Sequence, residues 1–304
     1  MTYPRMKKLM FQGVAFAALA FSLTAVSCGD TETDTTNDSV GDTLADSGFE
    51  TVTTEDVVRV PSPSDIFEFM KTLGPKKGDG NLLNPVSNEK KYTSKKSQAL
   101  NLGVYSADLL YASTFDVTDK VGGYFGVCMK MGTTLQVTTG LTDKDQERIS
   151  KANGNADSLV AVGNDLYLST FSNLESNDRG PELSMMLAGG WIESMYLSCA
   201  MVKDFEKDKD AANKIAEQDA SLNNLIEFMT KYESNEDVAS TLQQLKELDV
   251  LFGAVGSTAK EAPKQEDGKR MKIGGGEQKN ITKDQFDAIQ KKIGEIRKAY
   301  VEAN

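Results

Sequence analysis

Apolar and polar residues follow one another along most of this chain with a helical rather than a strand period. The clearest case lies near the C-terminus. Phe286, Ile289, Ile293, Ile296 and Tyr300 recur at threes and fours on one stripe, with Ile281 just before them. Thr282 and Gln285 stand at capping-box spacing ahead of that stripe. Toward the other end, Ser62-Pro63-Ser64-Asp65 offers an N-cap with proline in the first turn. Ile66, Phe67, Phe69, Met70 and Leu73 then fit a helical face, and Gly74-Pro75 closes it. Between these two, the pattern predicts helices over about 95–112, 118–137, 142–153, 156–174, 182–203, 208–232 and 236–255. Asn81-Leu82-Leu83-Asn84-Pro85 reads as an irregular packing segment. The Lys-, Glu- and Gly-rich stretch from 257 to 280, with Gly274-Gly275-Gly276, reads as a mobile loop with room for a small hairpin. No set of alternating strands appears. The expected fold is all-α, an irregular multi-helix array of about eight or nine helices.

Three of the predicted helices, those containing Leu109, Leu166 and Met195, are apolar nearly all round, which places them at the centre with amphipathic helices outside. The stretch 183–202 is almost long enough for a bilayer, but Glu193 in its middle and the Gly189-Gly190 pair favour a buried core helix. Gly122 and Gly126, and Gly103 with Ala107, are small residues four apart, a spacing that lets helices approach closely. Met185, Met186, Met195 and Met201 share one helix. Thioethers can bind soft metal ions, but core filling is the ordinary use of such residues.

The first sixty residues follow a different logic. Lys7 and Lys8 precede an apolar run from Leu9 to Val26, the order of a secretory signal, and Met6-Lys7-Lys8 is a more typical start than Met1. The run ends in Ala25-Val26-Ser27-Cys28, which resembles the lipobox of bacterial lipoproteins. Val26 is a permitted variant there, and Ala25 replaces the commoner Leu. The resemblance implies cleavage before Cys28, lipidation of Cys28 and attachment to a membrane of the cell envelope, the outer membrane above all. The domain would then face the periplasm or the cell surface. Two or three acyl chains anchor stably where one does not, at about 0.8 kcal/mol per buried methylene.

Removing residues 1–27 takes Arg5, Lys7 and Lys8 and no acid, which moves the formal net charge from −11 to −14. Residues 28–60 hold nine acids against one base, Arg59, with few apolar residues. This composition predicts a disordered acidic tether between the signal peptide 1–27 and a helical domain over 61–304. The acids are interleaved with Thr rather than contiguous, so their likeness to a surface-export signal is partial. So acidic a chain is a poor partner for nucleic acid.

The chain contains no His. Imidazole metal ligands, Ser-His-Asp and Cys-His nucleophilic sites, and His proton shuttles are therefore excluded. No phosphate-loop Lys motif and no complete dinucleotide fingerprint is present, and Gly74, Gly78 and Gly80 follow no strand. Neither a cofactor nor a metal-ligand set is expected.

One pattern recurs in what remains. Asp108-Leu-Leu-Tyr111-Ala-Ser113 resembles Glu193-Ser-Met-Tyr196-Leu-Ser198, and Asp165-Leu-Tyr167-Leu-Ser169 is a looser third copy. Acid and Tyr three apart share a helix face, so a carboxylate and a phenol lie side by side on an otherwise apolar helix. Buried acids are costly unless paired. Asp108, Tyr111, Asp165, Tyr167, Glu193 and Tyr196 are therefore candidates for an internal site binding a polar ligand or a hard cation. The structural alternative satisfies each acid with a hydroxyl, a helix N-terminus or a neighbouring Lys. Asp108 and Glu193 are also the pair a carboxylate-dependent glycosidase would use. Cys128 and Cys199 could form a disulfide outside the cytoplasm, although mid-helix cysteines usually remain buried free thiols. Together these features point to a non-catalytic binding protein of the envelope, taking a small molecule or an envelope protein as partner. A glycan-active enzyme and an envelope scaffold are the rivals.

Overall fold

The computed structural model describes residues 63–74, 77–137, 155–259 and 277–302, together with positions 144, 147, 148 and 151. Contacts divide the chain into two units, Met1–Phe49 and Glu50–Asn304, and every described residue belongs to the second. The signal peptide, Cys28 and the acidic tether lie outside the described residues, as does most of the helix expected over 142–153, which is helical at its four described positions.

The unit is all-α. The described residues form nine α-helices: α1 (Pro63–Thr72), α2 (Lys95–Thr114), α3 (Thr118–Thr134), α4 (Ala156–Ser176), α5 (Gly180–Met201), α6 (Lys209–Ala216), α7 (Asp219–Thr230), α8 (Glu236–Gly253) and α9 (Lys283–Glu302). A 3-10 turn, Val86–Lys91, precedes α2. One antiparallel strand pair, β1 (Ser257–Ala259) with β2 (Glu277–Lys279), brackets the glycine-rich stretch, with Thr258 opposite Gln278.

At the centre α2 packs along α5. Their backbones come so close that a Cβ on Gly103 would lie 2.0 Å from the Met186 carbonyl oxygen, and one on Gly189 would lie 1.9 Å from that of Leu100. Only glycine fits at either crossing point. The apolar character of both helices follows from this central packing, although Ser106 on α2 remains exposed. Met185, Met195 and Met201 are buried as core filling. α9 lays its predicted stripe against this pair and α8, with Phe286, Ile289, Ile293, Ile296 and Tyr300 all buried. The Gln285 N–H donates to the Thr282 hydroxyl while the Thr282 N–H donates to the Gln285 side chain, closing the capping box.

Three expectations need correction. α4 is not a central helix, because Asp165, Leu168 and Ser169 are exposed. Gly122 and Gly126 mediate no helix approach: a Cβ on either would meet nothing within 4 Å. The helix expected over 208–232 breaks into α6 and α7. The break falls where the Gln218 N–H returns to the Ile215 carbonyl in a tight turn and the Ser221 hydroxyl donates to the Gln218 carbonyl. Two separate buried stripes result, Ala211, Ala212, Ile215 and Ala216 on α6, and Leu222, Leu225, Phe228 and Met229 on α7.

Helix ends show a feature the sequence concealed. α2, α3 and α4 each stop at a non-glycine residue in the left-handed region, Asp116, Gln136 and Asp178, all with φ of 56°. In each case the next N–H reaches back five residues: Val117 to Ala112 (3.0 Å), Val137 to Gly132 (2.9 Å) and Arg179 to Leu174 (2.7 Å). This is the Schellman cap, normally carried by glycine.

Candidate functional site

Asp108 on α2 and Glu193 on α5 meet in the interior, and neither has exposed surface. Their partner is Arg297, from the polar flank of the α9 stripe. Its Nε donates to Glu193 Oε2 at 2.7 Å and its Nη2 to Glu193 Oε1 at 2.9 Å. The same Nη2 donates to the Leu82 carbonyl at 3.0 Å, and the guanidinium lies 4.2 Å from the ring centre of Tyr196. A two-pronged carboxylate contact, a carbonyl and an aromatic face together use the planar geometry that distinguishes Arg from Lys.

Asp108 is held differently. Its Oδ2 accepts the Asn84 N–H at 3.1 Å, and its Oδ1 has no hydrogen-bond partner. Burial pushes both carboxyls above their ordinary range. The nearby carboxylate of Glu193 raises Asp108 further, whereas Arg297 opposes the effect of burial at Glu193. Arg297 is the counterion of Glu193, whereas Asp108 has no cation bonded to it, so Asp108 is the carboxyl for which burial favours the neutral form.

Asn84 organises the surroundings. Besides the contact with Asp108, its carbonyl accepts from the Tyr124 hydroxyl at 3.0 Å and its Oδ1 from Asn88 at 2.8 Å. Its Nδ2 donates to the Tyr92 hydroxyl at 3.0 Å and, more distantly, to Asn101 Oδ1 at 3.4 Å. Tyr105 donates to the Pro85 carbonyl at 3.0 Å and Tyr92 to that of Val301 at 3.1 Å. Asn101 ties α2 to the end of α9 through the Tyr300 carbonyl at 2.9 Å. The irregular segment 81–92 is thus fastened by polar bonds to α2, α3 and α9. This accounts for its lack of regular structure: its backbone groups find side-chain partners instead.

Of the six residues singled out from sequence, the structure brings Asp108, Glu193 and Tyr196 together. Tyr111 is buried, but its hydroxyl accepts the Asp79 N–H at 3.1 Å and makes no hydrogen bond to Asp108. Asp165 lies apart from the cluster, exposed and paired with Arg148 at 2.5 Å. The side chain of Tyr167 is outside the described residues. A single internal site shared by all three copies of the pattern is therefore not formed. Cys128 and Cys199 are free thiols rather than a disulfide, Cys199 buried and Cys128 half-buried, and burial pushes each up to about 12. Sequence reading missed Arg297, Asn84 and the phenols of Tyr92, Tyr105 and Tyr124. The signal for Arg297 was its place next to Ile296, on the edge of the best-defined apolar stripe in the chain.

Among the described residues no group of three or more Cys, Asp or Glu is placed to hold a metal ion, and no helix is long and apolar enough to cross a membrane. The chain matches no family model, no curated protein and no solved structure.

Proposed function

We propose that this chain is an acyl-anchored binding protein of the bacterial envelope whose helical domain engages an envelope partner at its surface, without catalysis. The address rests on the basic residues Lys7 and Lys8, the apolar run and Ala25-Val26-Ser27-Cys28. The non-catalytic role rests on one observation: Glu193, which a glycan-cleaving pair would need, is fully buried and has both oxygens taken by Arg297. A carboxylate so held cannot reach a sugar, and its partner Asp108 has no exposed surface either. Arg297 already occupies Glu193, and Asp108 has no exposed surface, so binding is assigned to the surface rather than to this interior cluster.

The test is expression of the full chain and of Cys28→Ser in a Gram-negative host, with membrane fractionation and intact-mass measurement. The expected result is a membrane-bound chain beginning at an acylated Cys28, with the variant released from the membrane. A chain that is soluble and unmodified would sink the anchoring half of the proposal. Glycan turnover by the purified protein that disappears in Glu193→Gln would sink the non-catalytic half.

A further inference from the structure

Two fully buried carboxyl groups face one guanidinium, and that charge count is uneven. With Asp108 protonated, the Glu193–Arg297 pair is neutral overall. With Asp108 ionised, one negative charge has no counterion in an interior where Glu193 and Asp108 have no exposed surface. The cluster also joins parts of the chain that are far apart in sequence. Asp108 holds the Asn84 N–H, Arg297 holds the Leu82 carbonyl, and Arg297 itself belongs to α9.

We propose that the proton keeping Asp108 neutral is a latch: while it is present no charge in the cluster goes uncompensated, and its loss under alkaline conditions loosens α9 and the 81–92 segment, which the cluster ties to the α2–α5 pair. Nothing in this inference depends on the membrane address or on a partner.

The groups that act on Asp108 from each element packed round it leave the latch to this one proton. α5 contributes Glu193 and α9 contributes Arg297, which stays charged. Tyr105 on α2, Tyr124 on α3 and Tyr92 after the 3-10 turn are all pushed up by burial, as is the Cys128 thiol on α3, to about 12. The direction of the effect follows from linkage. A carboxyl whose folded value stands above its unfolded value contributes stability that is complete below the unfolded range, about pH 4. That contribution is lost as pH rises through the folded value, because the folded state then binds the extra proton less and less. Since Asp108 is raised well above its ordinary value, the window opens above the usual carboxylate range and runs upward from there.

The deciding experiment is hydrogen exchange with mass spectrometry on the full chain at about pH 5.5, 7 and 9, with rates corrected for intrinsic exchange. In the wild type, peptides from 81–92 and 283–302 should lose about tenfold or more in protection on going from the lowest to the highest pH, relative to peptides from 236–253. In Asp108→Asn, which keeps a neutral side chain of the same shape, that differential loss should vanish. Equal behaviour of the three regions in the wild type, or an unchanged pH response in Asp108→Asn, overturns the proposal. Should that variant fail to fold, infrared spectroscopy of the wild type decides. A protonated-carboxyl band at neutral pH that fades in step with the loss of protection supports the latch, and its absence at neutral pH refutes it.

Discussion

Replacing Arg297 with methionine keeps a long apolar stem and removes the guanidinium. Glu193 then remains with no exposed surface and no cation, and the Leu82 carbonyl loses its donor. Removing one partner of a buried ion pair costs about 3–5 kcal/mol, because the charge left behind is uncompensated. The lost contact with the face of Tyr196 adds about 0.5–1 kcal/mol, partly offset by the apolar packing of methionine. In a domain of this size each kcal/mol lowers Tm by about 2–4 °C, so about 3–5 kcal/mol corresponds to a fall of about 6–20 °C. The loss should also depend on pH. Without the guanidinium, Glu193 in the folded state is pushed further up, so the variant loses stability relative to wild type as pH rises above the ordinary carboxylate range. Urea unfolding of wild type and variant at about pH 5 and about pH 8 measures both effects. Arg297→Lys supplies the control. It keeps the charge but cannot hold both Glu193 oxygens and the Leu82 carbonyl, so it should fall between the two. A deficit below about 1 kcal/mol in Arg297→Met at pH 8, or one equal at both pH values, would refute the buried-pair account.

Other consequences are sharp enough to check. Gly103→Ala and Gly189→Ala each drive a Cβ into the backbone of the facing helix, so each should cost about 3 kcal/mol or more in chemical denaturation. A normal melting curve for either would contradict the close α2–α5 crossing. Gln136→Gly relieves a left-handed cap on α3 and should raise stability by about 0.5–1 kcal/mol, after allowance for the greater freedom of the unfolded chain. If stability falls, the cap geometry is mistaken. Cys128 and Cys199 should resist alkylation at about pH 8 in the native protein and react promptly in denaturant without reductant. A requirement for reductant would reveal a disulfide instead.

How much of this was legible in advance varies with the physics of each part. The period of apolar residues is a local property, so α1, α2, α3, α5, α8 and α9 could be read to within a few residues of their ends. The central position of α2 and α5 followed from apolar faces on all sides. The same argument misplaced α4, because an apolar composition does not say which neighbours are present to cover it. The caps at Asp116, Gln136 and Asp178 were hidden because the residues there are not the glycine the conformation favours; their left-handed geometry is held by the returning N–H and by the burial of Val117 and Val137. The break between α6 and α7 carries no glycine or proline, and it becomes intelligible only once Trp191 is seen donating to Ser221 at the turn.

The candidate site divides along the same line. The sequence placed Asp108 and Glu193 on apolar helices, where a buried acid must be answered, but the same reasoning covered Asp165, which is exposed. It also excluded imidazole chemistry outright through the absence of His. What answers the two acids was a matter of tertiary structure alone. Arg297 lies 104 residues from Glu193 and Asn84 lies 24 from Asp108. No local period relates residues so distant. They are joined by the packing of α9 across α2 and α5, which fixes which carboxyl meets the cation.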